Sequence, residues 1–380
     1  MSSHPLEFIG FLAHQAASES QSPVGPLVDP AFVGAFAQTQ EHAGFDRALI
    51  AYHSGAPDGL QIAAYATQQT RRLGVLVAHR PGVVAPTVAA RQLATLDHFS
   101  GGRAAVNIIT GGNDAEQQRD GDFLSHDERY ARTDEYLTLM KQAWTAKTPF
   151  DFNGRFYQVR DYRPNVQPLQ KPHLPIFFSG SSVAAVQVAA KHADVFMMWG
   201  EPLAGIAEQI ANVRAAAAVQ GRAEALRFSL SIRPILGATE AEAWARAERI
   251  REAAAKRLSR TPLTLVQGGV PQNVGSRRLL DFAAQGEVLD SCLWTGIARL
   301  TGAVAGTAAT TGVGGNTTAL VGTPDQVADA LLAYHRIGIS TFLLRGFDPL
   351  EDAVAYGREL LPRIRARVPA ELPVTAFAPL

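Results

Sequence analysis

The chain is poor in the residues from which disulfides or zinc sites are made: one cysteine, Cys292, stands among 380 residues. A single thiol excludes a disulfide within the chain and a cysteine-rich zinc site. No apolar run approaches the roughly 20 residues that a membrane helix needs. The opening MSSHPLEFIGFLAHQ has no charged leader before a long apolar stretch, so no secretory signal is expected. Lys+Arg and Asp+Glu both number 35, without the basic excess of a nucleic-acid footprint. A P-loop, an HExxH pair and a GxGxxG after a first strand are all missing, and the histidines fall at no metal-ligand spacing. No carboxylate pair stands out as a glycosidase acid and base. These absences leave a cytoplasmic protein of small-molecule chemistry, with no metal, nucleic acid or membrane required.

Hydrophobic residues make up 47% of the chain and charged residues 18%, enough for a large buried core. Apolar runs suited to buried parallel strands fall at 7–13, 47–52, 73–79, 103–109, 174–179, 193–199, 226–236 and 339–344. Between them, apolar residues recur at helical spacing over 30–43, 87–98, 129–146, 202–220, 240–256 and 324–337. Eight strand-helix alternations predict an α/β fold of the (β/α)8 TIM-barrel type. Two segments break the rhythm. Residues 149–162 carry Asn153-Gly154 between aromatic and β-branched residues, which predicts a hairpin. Residues 259–316 are long and rich in Gly, Thr and Ala, with weak helical character over 276–284. In a barrel enzyme such a segment reads as a lid or a surface insertion. The chain after Pro369 reads as a loose tail.

Barrel enzymes place their chemistry at the C-terminal ends of strands. Those ends collect His14, His53 and Asp58, His79 and Arg80, Asn107 with Thr110-Gly111-Gly112, Ser179–Ser182, Trp199, Arg233 and Arg345. Each alone has an ordinary structural explanation; the convergence on one mouth is what suggests a site. Gly180-Ser181-Ser182 before a helix would expose N–H groups and hydroxyls suited to a phosphate, or would serve as a plain serine cap.

Several of these stretches resemble the bacterial luciferase-like flavin monooxygenases, in particular the alkanesulfonate monooxygenase branch. They are LVAHRPGVVAPTVAARQLATLDHFSGGRAAVNIITGG, DGDFLSHDERY, PIFFSGSS, MMWGEP, TALVGTPDQVA and FLLRGFDPLEDA, in consistent order from Phe8 to about Pro362. The resemblance implies one TIM-barrel domain over 1–365, with a hairpin insertion at 148–165, a mobile insertion at 257–316 and a tail at 366–380. It also implies FMNH2 as cofactor, dioxygen as co-substrate, a separate NAD(P)H-dependent flavin reductase, and a homodimer or homotetramer. Carried over by position, Ser181 and Ser182 would hold the FMN phosphate, with His126 and Tyr130 close by. Asn107 and the backbone near Ala78 would line the flavin ring, and Asp58 would sit at its edge.

The chain departs from that branch where a sulfonate would be held. Ala56 stands for a cysteine, Ser231-Ile232-Arg233 for an Arg-x-His pair, Val313 for an arginine of the insertion and Phe347 for a tyrosine. Arg233 and Arg345 would then supply the charge from adjacent strands, either to a sulfonate or to a protein carboxylate such as Asp348 or Glu201. On the first alternative they orient an organosulfonate (an alkanesulfonate, or a sulfosugar such as sulfoquinovose), whose C–S bond is cleaved to sulfite and a carbonyl. His14 or His53 would move the proton and Trp199 would wall the substrate. Two other readings fit the resemblance: an F420-dependent oxidoreductase, and a non-catalytic flavin-binding relative.

Overall fold

The computed structural model describes residues 5–259, 271–303 and 318–368. Eight parallel strands close into a barrel: Glu7–Phe11, Arg47–Ile50, Gly74–His79, Ala104–Ile109, Ile176–Ser179, Val195–Trp199, Arg227–Leu236 and Thr341–Leu344. Closure is visible at Ile9, which pairs with Arg47 on one side and Leu343 on the other. The predicted strands coincide with these eight to within a few residues at their ends. The reason is physical: a strand covered on both faces reads as an unbroken apolar run.

Helices return the chain on the outside. The helix Pro30–Ala43 shows why their bounds are sharp. Asp29 accepts a hydrogen bond from Phe32 N, Pro30 fits the first turn, and Gly44 takes the left-handed conformation (φ 85°) that ends it. The helix His126–Thr145 presents Tyr136, Leu137, Met140 and Trp144 to the core, and buried Trp144 Nε1 donates to Ala90 O at 2.9 Å. The hairpin predicted at Asn153-Gly154 joins Phe150–Asn153 to Gln158–Tyr162. Its tip is held from outside, by the Glu135 carboxylate accepting from the amides of Arg155, Phe156 and Tyr157.

The seventh strand outruns the barrel. Its first half pairs with the sixth and eighth strands, and its second half pairs with Ala319–Gly322, Arg233 lying opposite Ala319. Ala319–Gly322 in turn pairs antiparallel with Leu293–Trp294. The described part of the late insertion also contains the helices Val274–Gln285 and Gly296–Thr301. Val313 and the tail after Pro369 lie outside the described residues. No helix among the described residues is long and apolar enough to cross a membrane.

Candidate active site

The C-terminal mouth of the barrel opens into a cavity of about 1030 Å³. Single-ligand pockets commonly span roughly 300–1,000 Å³, so this one has room for a cofactor and a small substrate together.

One end is built from two helix starts. The turn Gly180-Ser181-Ser182 leads into the helix Val183–His192, whose first turn Ser182 caps by accepting from Ala185 N at 3.2 Å. Beside it begins the helix His126–Thr145, with His126, Arg129 and Tyr130 lining the same end. The rings of His126 and Tyr130 lie 4.9 Å apart. Gly180 has φ 156°, and a Cβ there would stand 2.9 Å from Tyr130 Oη, so only glycine lets the turn lie this close. Burial raises the Tyr130 pKa, and the Ser182 hydrogen bond and the Arg129 charge oppose the rise, so the phenol stays a neutral donor. N–H groups, hydroxyls and a buried phenol converging at two positive helix ends suit a phosphate dianion.

The floor is apolar: Phe11, Leu12, Ile50, Ile109 and Met197. Asn107 lies one pleat beneath Ile109 and accepts from Ser179 Oγ at 3.0 Å; Ala78 lies beside it in register. Both therefore lie beneath the floor and are not part of the cavity lining, where the resemblance had implied that they would line the flavin ring. Asp58 does not line it either. Its carboxylate accepts from Gln61 N at 2.9 Å and caps the helix Gly59–Gln69, an element that the sequence reading had not singled out.

The opposite end holds His14, Tyr52 and His53, while Trp199 stands beside Ser181, since a Cβ on Gly275 would touch both. His14 Nδ1 lies 2.5 Å from Leu27 O, and a carbonyl can only accept, so the proton is on Nδ1. Its Nε2 is buried and has no hydrogen-bond partner among the described residues. His53 Nδ1 accepts from Gly55 N at 3.2 Å, and its Nε2 is 3.9 Å from Glu116. Burial lowers the His53 pKa; Glu116 opposes this and Arg80 adds to it, so the ring is neutral at pH 7.

Glu116 is a residue that the sequence did not disclose, because it sits on a five-residue helix, Asp114–Gln118, too short to show a period. Burial would raise its pKa, but the Arg80 hydrogen bond and charge bring it below the usual carboxylate range. Arg80 bonds Glu116 at 2.7 Å and stacks 4.5 Å over the Tyr52 ring. Arg277 was missed as well, since its helix Val274–Gln285 reaches the site only across the insertion. Gly275 of that helix lets Trp199 pack against its backbone: a Cβ there would meet Trp199 Cζ3 at 2.9 Å. Among the described residues, Arg80, Arg129 and Arg277 line the cavity with Asp114 and Glu116; Arg80 pairs with Glu116 and Asp120, and Arg129 with Asp114.

The expectation for Arg233 and Arg345 needs correction. Neither lines the cavity, and the carboxylate that meets them is neither Asp348 nor Glu201. Both pair with Glu19, Arg233 at 2.9 Å and Arg345 at 3.2 Å. Asp348 and Glu201 are taken instead by Arg246 and Arg278. Phe347, where the branch has a tyrosine, lies flat under Arg233, ring centroid 3.5 Å from Cζ. The sequence does hold one signal for Glu19: it is the only acidic residue between Glu7 and Asp29. The structure thus brings His14, His53, His126, Tyr130, Ser181, Ser182 and Trp199 to one cavity and leaves Asp58, Ala78, Asn107, Arg233 and Arg345 outside its lining.

Three solved structures share this architecture across most of their length. A riboflavin lyase, solved with modified FMN and riboflavin, superposes with a TM-score of 0.76 at 21% identity, covering 96% of this chain and 92% of that one. The EDTA monooxygenase of Chelativorans sp. BNC1 gives 0.71 at 20% identity, covering 96% and 94%. A long-chain alkane monooxygenase gives 0.74 at 18% identity, covering 96% and 92%. Residues 6–341 match the family described as luciferase-like monooxygenase. A closed eight-stranded barrel, its site at the C-terminal mouth, and a family match over most of the chain agree: this protein belongs to the luciferase-like monooxygenases.

Proposed function

We propose that this chain is the oxygenase of a two-component system, taking reduced FMN from a separate NAD(P)H-dependent reductase and oxidising a small organosulfonate. The observation that carries the reading is the two-ended cavity: a phosphate-suited pair of helix starts at one end, a buried histidine nitrogen at the other, and an apolar floor between. Ser181, Ser182, Tyr130 and His126 would hold the FMN phosphate, and the floor over Asn107 and Ala78 would support the flavin ring. When bound, FMNH2 supplies the two electrons with which dioxygen oxidises the substrate.

The chain's own residues do the rest. His14 Nε2 would take a proton from the substrate carbon, and the hydrogen bond from Nδ1 to the Leu27 carbonyl supports the tautomer needed for that. His53, held neutral, offers a second proton site across the cavity. Trp199 and the start of the helix Val274–Gln285 pack beside Ser181 and would exclude water from that side of the cavity. Support for an anionic occupant comes from Arg277, a lining arginine that donates to the carbonyls of Pro271 and Gln272 and to no carboxylate among the described residues. In the overall balance the C–S bond breaks, one oxygen atom becomes the carbonyl of the product, the other leaves as water, and sulfite departs.

Purified protein given FMN, a reductase, NADH and air is expected to release sulfite from at least one member of a panel of alkanesulfonates and sulfosugars. Measurable FMNH2 binding with no sulfite from any sulfonate would remove the desulfonation step. Anaerobic substrate oxidation with oxidised F420 as hydride acceptor, with no turnover on FMNH2 and air, would reassign the cofactor.

A further inference from the structure

Between the first strand and the helix at Pro30 the chain makes a long loop, residues 12–29, that is internally bonded. Val24 N donates to Ala16 O, Asp29 N to His14 O, and Gln15 Nε2 to Gly25 O. Its tip is pinned to the ends of the eighth and seventh strands, which follow the first strand around the barrel. Glu19 enters between Arg233 and Arg345, Arg257 donates to the carbonyls of Ser18 and Gln21, and Gln21 Nε2 donates to Asp348. One loop therefore carries His14 on the cavity wall and Glu19 in the arginine cluster.

Glu19 fits that cluster incompletely. Arg233 is fully buried, and among the described residues its Nε and Nη1 have no hydrogen-bond partner, while its Nη2 reaches Gly346 O at 2.9 Å. Glu19 Oε2 is itself buried without a hydrogen bond although it lies 2.9 Å from Arg233 Nη2, so carboxylate and guanidinium meet in a geometry that leaves donors and an acceptor unmade. A tetrahedral oxyanion presents three or four acceptor oxygens where a carboxylate presents two. The cluster is also one ring away from the cavity: Arg345 stacks on Phe11 at 4.6 Å, and Phe11 lines the cavity floor.

We propose that Glu19 is an internal carboxylate holding the place of a sulfo-oxyanion, and that a sulfonate or sulfate group engages Arg233 and Arg345 when loop 12–29 carries Glu19 away. This deepens the organosulfonate reading and rests on it for the choice of ligand. A tethered carboxylate competes at high local concentration, so the wild-type protein binds the anion only through the fraction of molecules whose loop is open. Removing the competitor raises the apparent affinity. The same movement takes His14 with it, which ties occupation of the anion site to the arrangement of the proton acceptor.

The test is calorimetric titration of inorganic sulfate into wild type, Glu19→Ala, and Glu19→Ala combined with Arg233→Met. Glu19→Ala is expected to bind sulfate at least about tenfold tighter than wild type, within the ordinary range of coupling between sites, and the double variant is expected to lose that gain. Equal affinities in wild type and Glu19→Ala would overturn the proposal. If Glu19→Ala fails to fold, Glu19→Gln is titrated in its place. Amide exchange of residues 12–29 in the wild-type protein gives a second measure: it should rise on adding ethanesulfonate, and an unchanged rate counts against a displaceable loop. A sulfate gain without sulfite release keeps the anion site and discards desulfonation. Sulfite release without the gain keeps desulfonation and discards the role of Glu19.

Discussion

Histidine is asked to do different things at neighbouring positions of this barrel, and burial decides which. His14 has Nε2 buried at a cavity wall without a partner among the described residues, its other nitrogen being committed to a carbonyl. His79 lies at the end of the third strand with no path to the cavity: it is buried and shares a 2.7 Å hydrogen bond with Tyr136. Burial lowers its pKa to about 4, only weakly opposed by Asp58. The unfolded chain would bind a proton at this residue from about pH 6.5 downward, whereas the folded one refuses it until about pH 4. In that window the unfolded state holds more protons, so stability falls as pH falls. At about 1.4 kcal/mol per unit the loss is about 3 kcal/mol. Chemical denaturation of wild type and His79→Gln at pH 7 and pH 4 measures it. Wild type is expected to lose about 3 kcal/mol more than the variant across that interval, and parallel losses would show that His79 is charged in the fold.

At the scale of elements, what the sequence disclosed was what local period can disclose. Eight buried strands and six long helices announce themselves because each repeats its apolar residues enough times to set a pattern. The helices Gly59–Gln69 and Asp114–Gln118 and the strand Ala319–Gly322 did not. The first was obscured because its cap, Asp58, had been assigned a cofactor role. The other two are too short to show a period. The Gly-Ser-Ser turn was legible as an element but ambiguous in purpose, since a serine cap and a phosphate cradle use the same atoms. Ser182 Oγ accepts from Ala185 N to cap its helix, and a hydroxyl that accepts can still donate, so backbone N–H groups, Ser181, Ser182 and Tyr130 all remain candidate phosphate donors. Gly180 sets that arrangement. Gly180→Ala forces a Cβ to within 2.8 Å of Ala185 Cβ at a φ that L side chains rarely adopt. The turn must shift away from Tyr130, and FMNH2 affinity is expected to fall about tenfold or more, the 1.4 kcal/mol that one displaced charge-assisted hydrogen bond is roughly worth. Anaerobic titration beside a thermal melt separates loss of binding from loss of fold; an unchanged affinity in a folded variant would take the turn out of the cofactor site.

For the whole molecule, formal neutrality hides where charges are placed: Arg80, Arg129 and Arg277 line the barrel mouth, the first two paired with carboxylates. Equal numbers of acidic and basic residues concealed this, because net charge carries no information on placement. Glu19 lies more than two hundred residues before Arg233 and more than three hundred before Arg345 in the chain, a distance over which no spacing rule operates. The same holds for the phosphate end, where helix starts at His126 and Val183 meet only because the fourth and fifth strands are neighbours. Each helix start contributes roughly half a positive charge, and the buried Arg129 stands behind them, its own charge partly met by Asp114 at 2.7 Å. On the proposed reading these contributions would act on the cofactor phosphate and not on the flavin ring. Reduced FMN is therefore expected to bind at least about tenfold tighter than reduced riboflavin, which has the same ring and no phosphate. Raising ionic strength should narrow the difference without abolishing it, since part of the interaction lies inside the cavity where salt screens poorly. Anaerobic titrations of both flavins at low and high salt measure this directly. Equal affinities at low salt would mean that the two helix starts hold something other than the cofactor phosphate, and the cavity would have to be read in the opposite sense, with substrate at Ser181 and Tyr130 and the flavin turned toward His14.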